Sequence, residues 1–570
     1  MELINSKIKR VFLSDTLEIK EWGDIAPFFL DLENREITSV NDLQKYLKDR
    51  SELEAILEEE AAWRYIKSTC DTENKEIAES FEYFISKIEP EINKKSNVLD
   101  KKLYNSEFIK KLNPKEYLIP IRSLKQRIEL FREKNIAILA ELQSAEQEFG
   151  AIAAAMTIKF NNEEITLHKA ANYLKENDRN LRKEVYELIN NRRLEDKQKL
   201  NDLLSKLIEK RSVVAKNTGF RNYRDFKHTE MGRFDYEIED VLEFHNTIKE
   251  TIVPLLNKIH KKRKSDLAYK ELKPYDLEVD VKARKPLVPY KNTDELVNKT
   301  IKLFSKINPK YGNFIYTMKE LKYLDLDARK GKAPGGYNYP LYESNVPFIF
   351  MNSTNNLRDL ETMMHEGGHA VHSFLSKDLE LVDFKSLPSE VAELASMSME
   401  LISMEYWNEF FDDTDDLKRA KQSQLEGVIS VLPWVATVDK FQHWLYLNPK
   451  HSDAERDDAW HKIFLEFSGN VIDYSGYDDY IRNAWQKQLH IFEVPFYYIE
   501  YAISQLGAIA IWKNYKENKT KALSKYEAAL SLGYSKTIPE IYETAGIEFS
   551  FSRKYIAELM SFVLNEYQKL

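Results

Sequence analysis

Residues 365–369 read His-Glu-Gly-Gly-His, which is the H-E-x-x-H pattern of zinc sites. On a helix, His365 and His369 project from one face, one turn apart, and can hold one metal ion together. Glu366, beside the first histidine, is placed to take a proton from a water that the metal activates. The pattern therefore predicts a zinc-dependent hydrolytic site, which needs a helix here and a third protein ligand elsewhere.

The segment around this pattern is predicted to be a helix from about Asn355 to Phe374. Apolar residues recur there at helical spacing, and the segment opens on polar residues that favour a helix start. Gly367 and Gly368 inside the helix each cost roughly 1 kcal/mol relative to alanine. We therefore expect a neighbouring helix or a substrate to approach the backbone closely at these positions. His372 continues the series of histidines, and we interpret it as a supporting or packing side chain.

A second helix is predicted to begin near Pro388 and Ser389, and it carries the candidates for the third ligand. Glu390, Glu393 and Glu400 lie within about one face of it, among small and apolar residues. Carboxylates in such surroundings are costly to bury unless they meet a cation. The residue types alone leave Glu390 and Glu393 as alternatives for the third ligand.

His365-Glu-Gly-Gly-His369 followed by Glu393 resembles the thimet oligopeptidase and oligoendopeptidase F family of zinc metallopeptidases. Glu393 and Glu400, 24 and 31 residues after His369, match that family's third ligand and the acidic residue that follows it. Residues 347–356, Pro-Phe-Ile-Phe-Met-Asn-Ser-Thr-Asn-Asn, are similar to the oligoendopeptidase F branch, and the resemblance extends from about residue 115 to the end. It implies Glu393 as the third ligand and one zinc ion per chain.

A block near the C-terminus, residues 490–501, reads His-Ile-Phe-Glu-Val-Pro-Phe-Tyr-Tyr-Ile-Glu-Tyr. It is similar to the family's combination of one histidine and spaced tyrosines that face the zinc. In relatives these side chains hold the substrate carbonyl and stabilise the oxyanion, which implies catalytic roles for His490, Tyr498 and Tyr501. Which of Tyr497, Tyr498 and Tyr501 contacts the oxyanion stays open.

The resemblance implies a zinc-dependent oligopeptidase, a metalloendopeptidase that hydrolyses internal bonds of short, unfolded peptides in the cytoplasm. Glu366 is then the general base, beside the ligands His365, His369 and Glu393. One alternative is a metallocarboxypeptidase of the helical H-E-x-x-H type, which needs a group that binds the free carboxylate of the substrate. Others are a zinc hydrolase for non-peptide amides and, in a different class, a non-catalytic peptide-binding protein, against which the presence of Glu366 argues. The natural substrate, the length limit and the metal used in the cell stay open.

Composition and charge narrow the class of protein. The chain has 570 residues, of which 43% are hydrophobic and 31% charged, as in large soluble proteins. Its net charge of −9 is spread without a basic tail, which argues against a nucleic-acid partner. A single cysteine, Cys70, excludes an internal disulfide, and the N-terminus lacks the apolar stretch of a signal peptide. The apolar run 494–512 is interpreted as a buried helix that contains a paired Glu500 and does not span a membrane. The oligomeric state is not predicted.

The elements that must position these residues are predicted to be mostly helices, because long stretches are rich in Glu, Lys, Leu and Ala. The resemblance implies a large two-lobed, clam-like helical fold with a deep central channel and a small β-sheet beside the zinc helix. We expect residues 1–190 to form an N-terminal helical lobe that includes a small hairpin. The helical catalytic domain is expected at residues 191–570.

Short β-segments are predicted at 156–167, 323–327 and 348–351. Residues 346–351, next to the zinc helix, are expected to form an edge strand that binds a peptide as an added strand. The loop at 334–337, which contains two glycines, is expected to close over the substrate. In the N-terminal part, Ser51 and Glu54 form a capping-box pattern that predicts a helix start at Ser51.

Overall fold

The computed structural model describes residues 9–329 and 331–570. Residues 1–8, on which the signal-peptide prediction depends, lie outside the described residues. The described chain is mostly α-helical and carries two small β-sheets. Among its helices we find none that combines the length and the apolar character needed to cross a membrane.

The first helices enclose a hydrophobic core of their own. This core contains buried residues from Leu13 to Leu124, and Leu381 and Phe384 join it from a later part of the chain. The second and larger core runs from Ile119 to Val563, so the two cores divide the chain into a smaller and a larger lobe. The helices of the first core are α1 (Trp22–Asn34), α2 (Val40–Cys70), α3 (Lys75–Tyr83), α4 (Glu89–Tyr104) and α5 (Leu118–Leu130).

The predicted helix start at Ser51 is wrong, because Ser51 lies well inside α2. The helix begins after Ser39, whose side chain accepts a hydrogen bond from the backbone N–H of Asp42. The hydroxyl of Ser51 instead accepts a hydrogen bond of 2.6 Å from the backbone N–H of Val382. Ser51 therefore serves a contact between distant parts of the chain, which the local sequence does not show.

The predicted hairpin is confirmed, and it packs on α7 and α8 in a small cluster of its own. Strand β1 pairs antiparallel with β2 in the register Thr157 to Thr166. Asn161 and Asn162 at the turn have φ values of 52° and 64°, which a two-residue turn between twisted strands requires. The elements here are α6 (Glu133–Ala154), β1 (Thr157–Phe160), β2 (Glu163–Thr166), α7 (Leu167–Ala171), α8 (Arg179–Glu195) and α9 (Lys197–Thr218).

The next helices supply one wall of the large core. Helix α13 is amphipathic, and its inward face buries Leu303 and Phe304 completely. These helices are α10 (Tyr223–Glu230), α11 (Ile238–Thr251), α12 (Val253–Asp266), α13 (Thr293–Ile307) and α14 (Pro309–Glu320).

A three-stranded sheet follows, made of β3 (Leu324–Asp327), β4 (Tyr337–Tyr339) and β5 (Phe348–Ser353). Its order is β3-β5-β4, with β5 parallel to β3 and antiparallel to β4. The predicted strands 323–327 and 348–351 are confirmed, but the prediction that residues 346–351 form an edge is wrong. The edges are β3 and β4, and β5 lies between them. Strand β4, next to the glycine-rich turn, has only three residues, which are too few to show a periodic pattern.

Helices α15 (Leu357–Ser376) and α17 (Ser389–Ser403) form the centre of the large lobe, and the short α16 (Val382–Lys385) between them packs on α2 and α5 of the first core. Helix α15 begins with a capping box in which Asn356 and Asp359 bond each other's backbone N–H groups. A Cβ atom on Gly368 would lie 2.6 Å from Ser396 Cα, and one on Gly367 would lie 2.5 Å from the ring of Phe304. The two glycines therefore admit α17 on one side and α13 on the other, as expected for a close approach by neighbouring helices.

The remaining helices complete the large core. The apolar run at 494–512 belongs largely to α22, which packs against α17, and Glu500 within it is buried and paired with Arg233 at 2.8 Å. The predicted pairing of Glu500 is thus confirmed. These helices are α18 (Thr414–Leu447), α19 (Asp453–Phe467), α20 (Asp478–Arg482), α21 (Leu489–Phe492), α22 (Tyr498–Glu517), α23 (Lys519–Ser531), α24 (Ile538–Thr544) and α25 (Arg553–Lys569).

Candidate functional site

Two helices bring three possible metal ligands together. His365 and His369 lie one turn apart on α15, with ring centroids 4.9 Å apart. Glu393 on α17 places Oε2 3.2 Å from His365 Nε2 and 3.7 Å from His369 Nε2. Ligand atoms about 2.0–2.1 Å from a tetrahedral zinc ion lie about 3.3 Å from one another. All three ligand atoms lie within 4.8 Å of one another, so two imidazoles and a carboxylate fit a zinc ion at this position.

The structure separates the two glutamates that the residue types left as alternatives. Glu393 is 3% exposed, and its carboxylate faces the two histidines. Glu390, one turn earlier on α17, accepts a 2.6 Å hydrogen bond from the hydroxyl of Tyr236 inside the core. Burial acts to raise the pKa of Glu393, but the nearby histidines lower it to about 2, so this carboxyl is ionised as a metal ligand must be.

A third acidic residue on α17 orients the first histidine. Glu400 accepts a 2.7 Å hydrogen bond from His365 Nδ1 through Oε1. Its other oxygen, Oε2, accepts a 2.8 Å hydrogen bond from the side-chain amide of Gln424 on α18. These two hydrogen bonds fix the ring of His365 with Nε2 toward Glu393, as carboxylates that accept a hydrogen bond from a metal-binding histidine commonly do.

Glu366 lies between the two histidines on α15 and is 5% exposed. Burial raises its pKa to about 7, and the negative charges of Glu393 and Glu400 add to this against the opposing effect of His365. The strand β4 runs beside it, and Asn338 Nδ2 donates a 3.2 Å hydrogen bond to the backbone oxygen of Glu366. A carboxyl with a pKa near neutrality is suited to both taking and returning a proton.

The C-terminal block meets the same site from α22 and the turn before it. The hydroxyl of Tyr497 donates a 2.8 Å hydrogen bond to Glu393 Oε1. Tyr501 places its hydroxyl 3.3 Å from His490 Nε2. The ring of Tyr498 lies 4.8 Å from that of His490.

These residues face a cavity of about 340 Å³. Tyr497 and Tyr501 line it, whereas Tyr498 and His490 do not. The predicted metal ligands and Glu366 also line it, and so does His372, which is buried and continues the histidine face of α15. The rest of the wall comes from β4, from residues 340–347 and from the segment between α15 and α17.

Comparison with known proteins identifies the family. Residues 172–561 match peptidase family M3, and residues 16–131 match the peptidase M3 N-terminal domain. The chain belongs to peptidase family M3. The predicted resemblance to the oligoendopeptidase F branch is confirmed by the relatives described next.

Two bacterial M3 relatives illustrate the similarity. Oligopeptidase PepF of Bacillus subtilis is 24% identical over 443 residues, which cover 75% of this chain and 64% of that protein. The match thus spans slightly less than two thirds of the PepF chain. An oligoendopeptidase F homolog of Borreliella burgdorferi is 23% identical over 420 residues, covering 73% of this chain and 68% of that protein.

The solved structure of PZ peptidase A with an inhibitor shows the same architecture over nearly the whole chain. It superposes with a TM-score of 0.92 at 25% sequence identity and covers 98% of this chain and 99% of that one. The oligoendopeptidase-F of Enterococcus faecium, at 17% identity and a TM-score of 0.65, shares the fold. The predicted fold class, a mostly helical two-lobed metallopeptidase fold with a small sheet beside the zinc helix, is confirmed.

Sequence reasoning missed several side chains of this M3 site. It recognised Glu400 only as part of a spacing pattern and did not identify Gln424 or Asn338, because each joins the site through a contact between distant segments. It also gave no role to Lys385, whose side chain lines the cavity. The contact of Tyr497 with Glu393 had a signal in the sequence, since this tyrosine belongs to the block at 490–501.

Proposed function

We propose that the protein is a zinc-dependent oligopeptidase that hydrolyses internal bonds of short, unfolded peptides in the cytoplasm. The observation that carries the proposal is the convergence of His365, His369 and Glu393 on one point of the cavity that buried Glu366 also faces. Membership of peptidase family M3 supports it, and so do relatives named oligopeptidase and oligoendopeptidase F. The predicted division at residue 190 remains a proposal as well.

In this proposal, His365 Nε2, His369 Nε2 and Glu393 Oε2 hold one zinc ion per chain. When bound, the metal supplies Lewis acidity, which polarises a carbonyl group and makes water acidic near neutral pH. Glu400 keeps the Nε2 lone pair of His365 directed at the site by accepting a hydrogen bond from Nδ1. Tyr497 holds the carboxylate of Glu393 in place from the opposite side.

Glu366 is the proposed general base. It takes a proton from the attacking water and later passes this proton to the amine that leaves. Its raised pKa, about 7, matches both transfers near neutral pH.

The developing negative charge on the substrate carbonyl oxygen is assigned to the hydroxyl of Tyr501, which lines the cavity, and His490 is proposed to act through that hydroxyl. The hydroxyl of Tyr501 and Nε2 of His490 lie 3.3 Å apart. The side-chain amide of Gln488 donates a 2.8 Å hydrogen bond to His490 Nδ1, so the ring proton is held on Nε2, where it can be donated. Tyr498 then supports the ring of His490, since its own ring packs on that histidine.

Strand β4 is the proposed docking edge for the substrate backbone. One side of β4 pairs with β5, and within the described residues no strand pairs with its other side. Asn338 of β4 lines the cavity beside Glu366, and Gly336 before it leaves that approach open. A peptide added to this edge would be held through its backbone, which suits substrates of varied sequence.

The first test measures cleavage of a quenched fluorescent peptide of eight residues by the wild-type protein and by Glu366→Gln, with the zinc content of each determined. We expect the wild type to cleave, and Glu366→Gln to keep zinc and lose about 10²–10⁴-fold in rate. Mass spectrometry of the products separates internal cleavage from carboxypeptidase action. Zinc binding without cleavage of any peptide in a varied set would contradict the proposal and favour the peptide-binding alternative.

A matched pair of variants tests the ligand assignment. Glu393→Gln is expected to lose zinc, because it replaces the ionised ligand. Glu390→Gln, on the same helix, is expected to keep zinc, because the amide oxygen of glutamine can still accept the hydrogen bond of Tyr236. Loss of zinc from both variants, or from Glu390→Gln alone, would overturn the assignment.

A further inference from the structure

The cavity that holds the metal ligands also contains a lysine without a carboxylate partner. Lys385 is the last residue of α16, is 7% exposed and lines the same cavity as His365 and Glu366. Among the residues that the structure describes, no carboxylate oxygen lies within 4 Å of its Nζ. Its ammonium donates one long hydrogen bond, of 3.3 Å, to Asn345 Oδ1.

The charged groups nearest to Lys385 do not neutralise it. Lys377, at the C-terminal end of α15, also lines the cavity, and its Nζ pairs with Asp378 Oδ1 at 2.8 Å. The side chain of Asp378 is 84% exposed, so its charge is screened by water and shared with Lys377. Burial lowers the pKa of Lys385 to about 8, with Lys377 acting in the same direction and Asp378 against it.

A buried ammonium group is costly unless an anion or several acceptors satisfy it. Lys385 has one long hydrogen bond to a neutral side chain and an open cavity beside it. A carboxylate that enters the cavity would supply the missing partner through a charge-assisted hydrogen bond. Ser386, the next residue in the chain, also lines the cavity and carries a hydroxyl that can donate a hydrogen bond.

We propose that Lys385, Asn345 and Ser386 form a subsite that binds a carboxylate of the peptide substrate. This inference rests on the proposed function and adds to it a substrate preference. It also supplies the group that the carboxypeptidase alternative requires, which the sequence did not reveal.

The carboxylate that binds there has two possible sources in a peptide substrate. It is either the C-terminus of the peptide or an acidic side chain within it.

The test measures binding of labelled eight-residue peptides to zinc-loaded Glu366→Gln protein, in which cleavage is suppressed. One peptide is uncharged with a free C-terminal carboxylate, the second is its C-terminal amide, and a third set carries the amide and one glutamate at each position in turn. We expect the free acid, or one member of the glutamate set, to bind roughly tenfold or more tightly than the neutral amide. The free acid identifies the C-terminus as the source of the carboxylate, and a glutamate position identifies a side chain.

Two substitutions at Lys385 and one control variant test whether the tighter binding of the acidic peptides depends on Lys385. Lys385→Met is expected to abolish the advantage of the acidic peptides and to leave binding of the neutral amide unchanged, and Lys385→Gln to do the same. Lys377→Met removes an ammonium of the same cavity that is already paired, so the advantage is expected to remain. Equal binding of all peptides, or the same advantage in the Lys385 variants, would overturn the subsite.

The failure of the subsite and the failure of the proposed function are distinguishable. If the wild type cleaves peptides but shows no preference for a carboxylate, the subsite is wrong and the peptidase stands. If the carboxylate preference depends on Lys385 but no peptide is cleaved, the subsite stands and the peptidase is wrong. If no peptide binds, both are wrong.

Discussion

Replacement of Gly368 by alanine is expected to weaken metal binding by separating the two helices that hold the ligands. The new Cβ atom would lie 2.6 Å from Ser396 Cα and 2.9 Å from the backbone oxygen of Ala395. Both are backbone atoms of α17, so no side chain can rotate away. Because α15 carries the two histidines and α17 carries Glu393, relief of this contact moves the ligands apart.

The size of the effect follows from the contact distance. Ordinary contacts of a Cβ atom begin at 3.4 Å, so the helices must separate locally by about 0.8 Å. Metal–ligand distances tolerate only about 0.2 Å. Overpacking of this kind costs about 1–3 kcal/mol, and if the bound metal must hold the helices against that strain, its affinity falls about 5- to 150-fold. The higher helix propensity of alanine, about 1 kcal/mol, offsets part of the loss of stability but does not restore the ligand geometry.

Gly427 provides the matched control. It lies inside α18, and a Cβ atom there would meet no atom within 4 Å. Gly427→Ala is therefore expected to stabilise the protein by about 1 kcal/mol and to leave zinc affinity unchanged.

The assay is competition between the protein and a zinc chelator, combined with thermal unfolding of the zinc-loaded and zinc-free forms. We expect Gly368→Ala to lose zinc at lower chelator concentration and to show a smaller stabilisation by zinc than the wild type. If Gly368→Ala binds zinc within twofold of the wild type and gains stability as Gly427→Ala does, the helix-contact argument is refuted.

Three other predictions follow from the same contacts. Tyr497→Phe removes the 2.8 Å hydrogen bond to Glu393 and is expected to weaken zinc binding by about 10- to 100-fold in the chelator assay, with the fold intact by circular dichroism. Arg233→Met leaves Glu500 buried without its partner and is expected to destabilise the protein by about 3–5 kcal/mol in denaturant unfolding, whereas replacing both residues by methionine recovers most of this. The preference for carboxylate peptides is expected to be full well below pH 8 and to weaken progressively as pH rises through it, because burial lowers the pKa of Lys385 to about 8 and the ammonium loses its charge as pH passes that value. Affinity ratios measured at several pH values on both sides of pH 8 test this.

The local features of the site were predictable from the sequence because each depends on a few neighbouring residues. The spacing of His365 and His369 places both on one face of any helix. The polar start of α15 and the start of α17 after Pro388 follow from capping preferences. The hairpin follows from a pair of asparagines between two alternating segments.

The wrong predictions concern pairings that the local sequence pattern does not show. Ser51 has the local pattern of a helix start, but α2 continues through it. Its hydroxyl accepts a hydrogen bond from the backbone N–H of Val382, in a different segment, instead of capping a helix. The edge of the sheet was misassigned because β4 has three residues and is recognisable only by its pairing with β5. Local preference did not decide either case, since tertiary contacts override it.

The choice between Glu390 and Glu393 illustrates the same limit at the site itself. The two residues lie on the same helix and have similar sequence neighbours. The orientation of α17 about its axis decides which of the two carboxylates faces the histidines. Tyr236 holds Glu390 inside the core. That tyrosine comes from a segment more than 150 residues earlier, so the residue types in α17 do not indicate this contact. The family resemblance implied Glu393, and the structure places the carboxylate of Glu393 beside the two histidines.

The precision of the candidate metal site comes from helix packing and not from loops. Gly368 brings α17 against α15, and Gly507 on α22 admits Leu394 of α17, which a Cβ atom would approach to 2.6 Å. The two histidines, Glu393 and Tyr501 thus belong to three helices in close contact. Since close-packed interiors transmit strain, larger residues at the glycines are expected to disturb the ligands without touching the metal. The two glycines of the H-E-x-x-H motif, which cost helix stability, are therefore explained by the partners they admit: Phe304 at one and the backbone of α17 at the other.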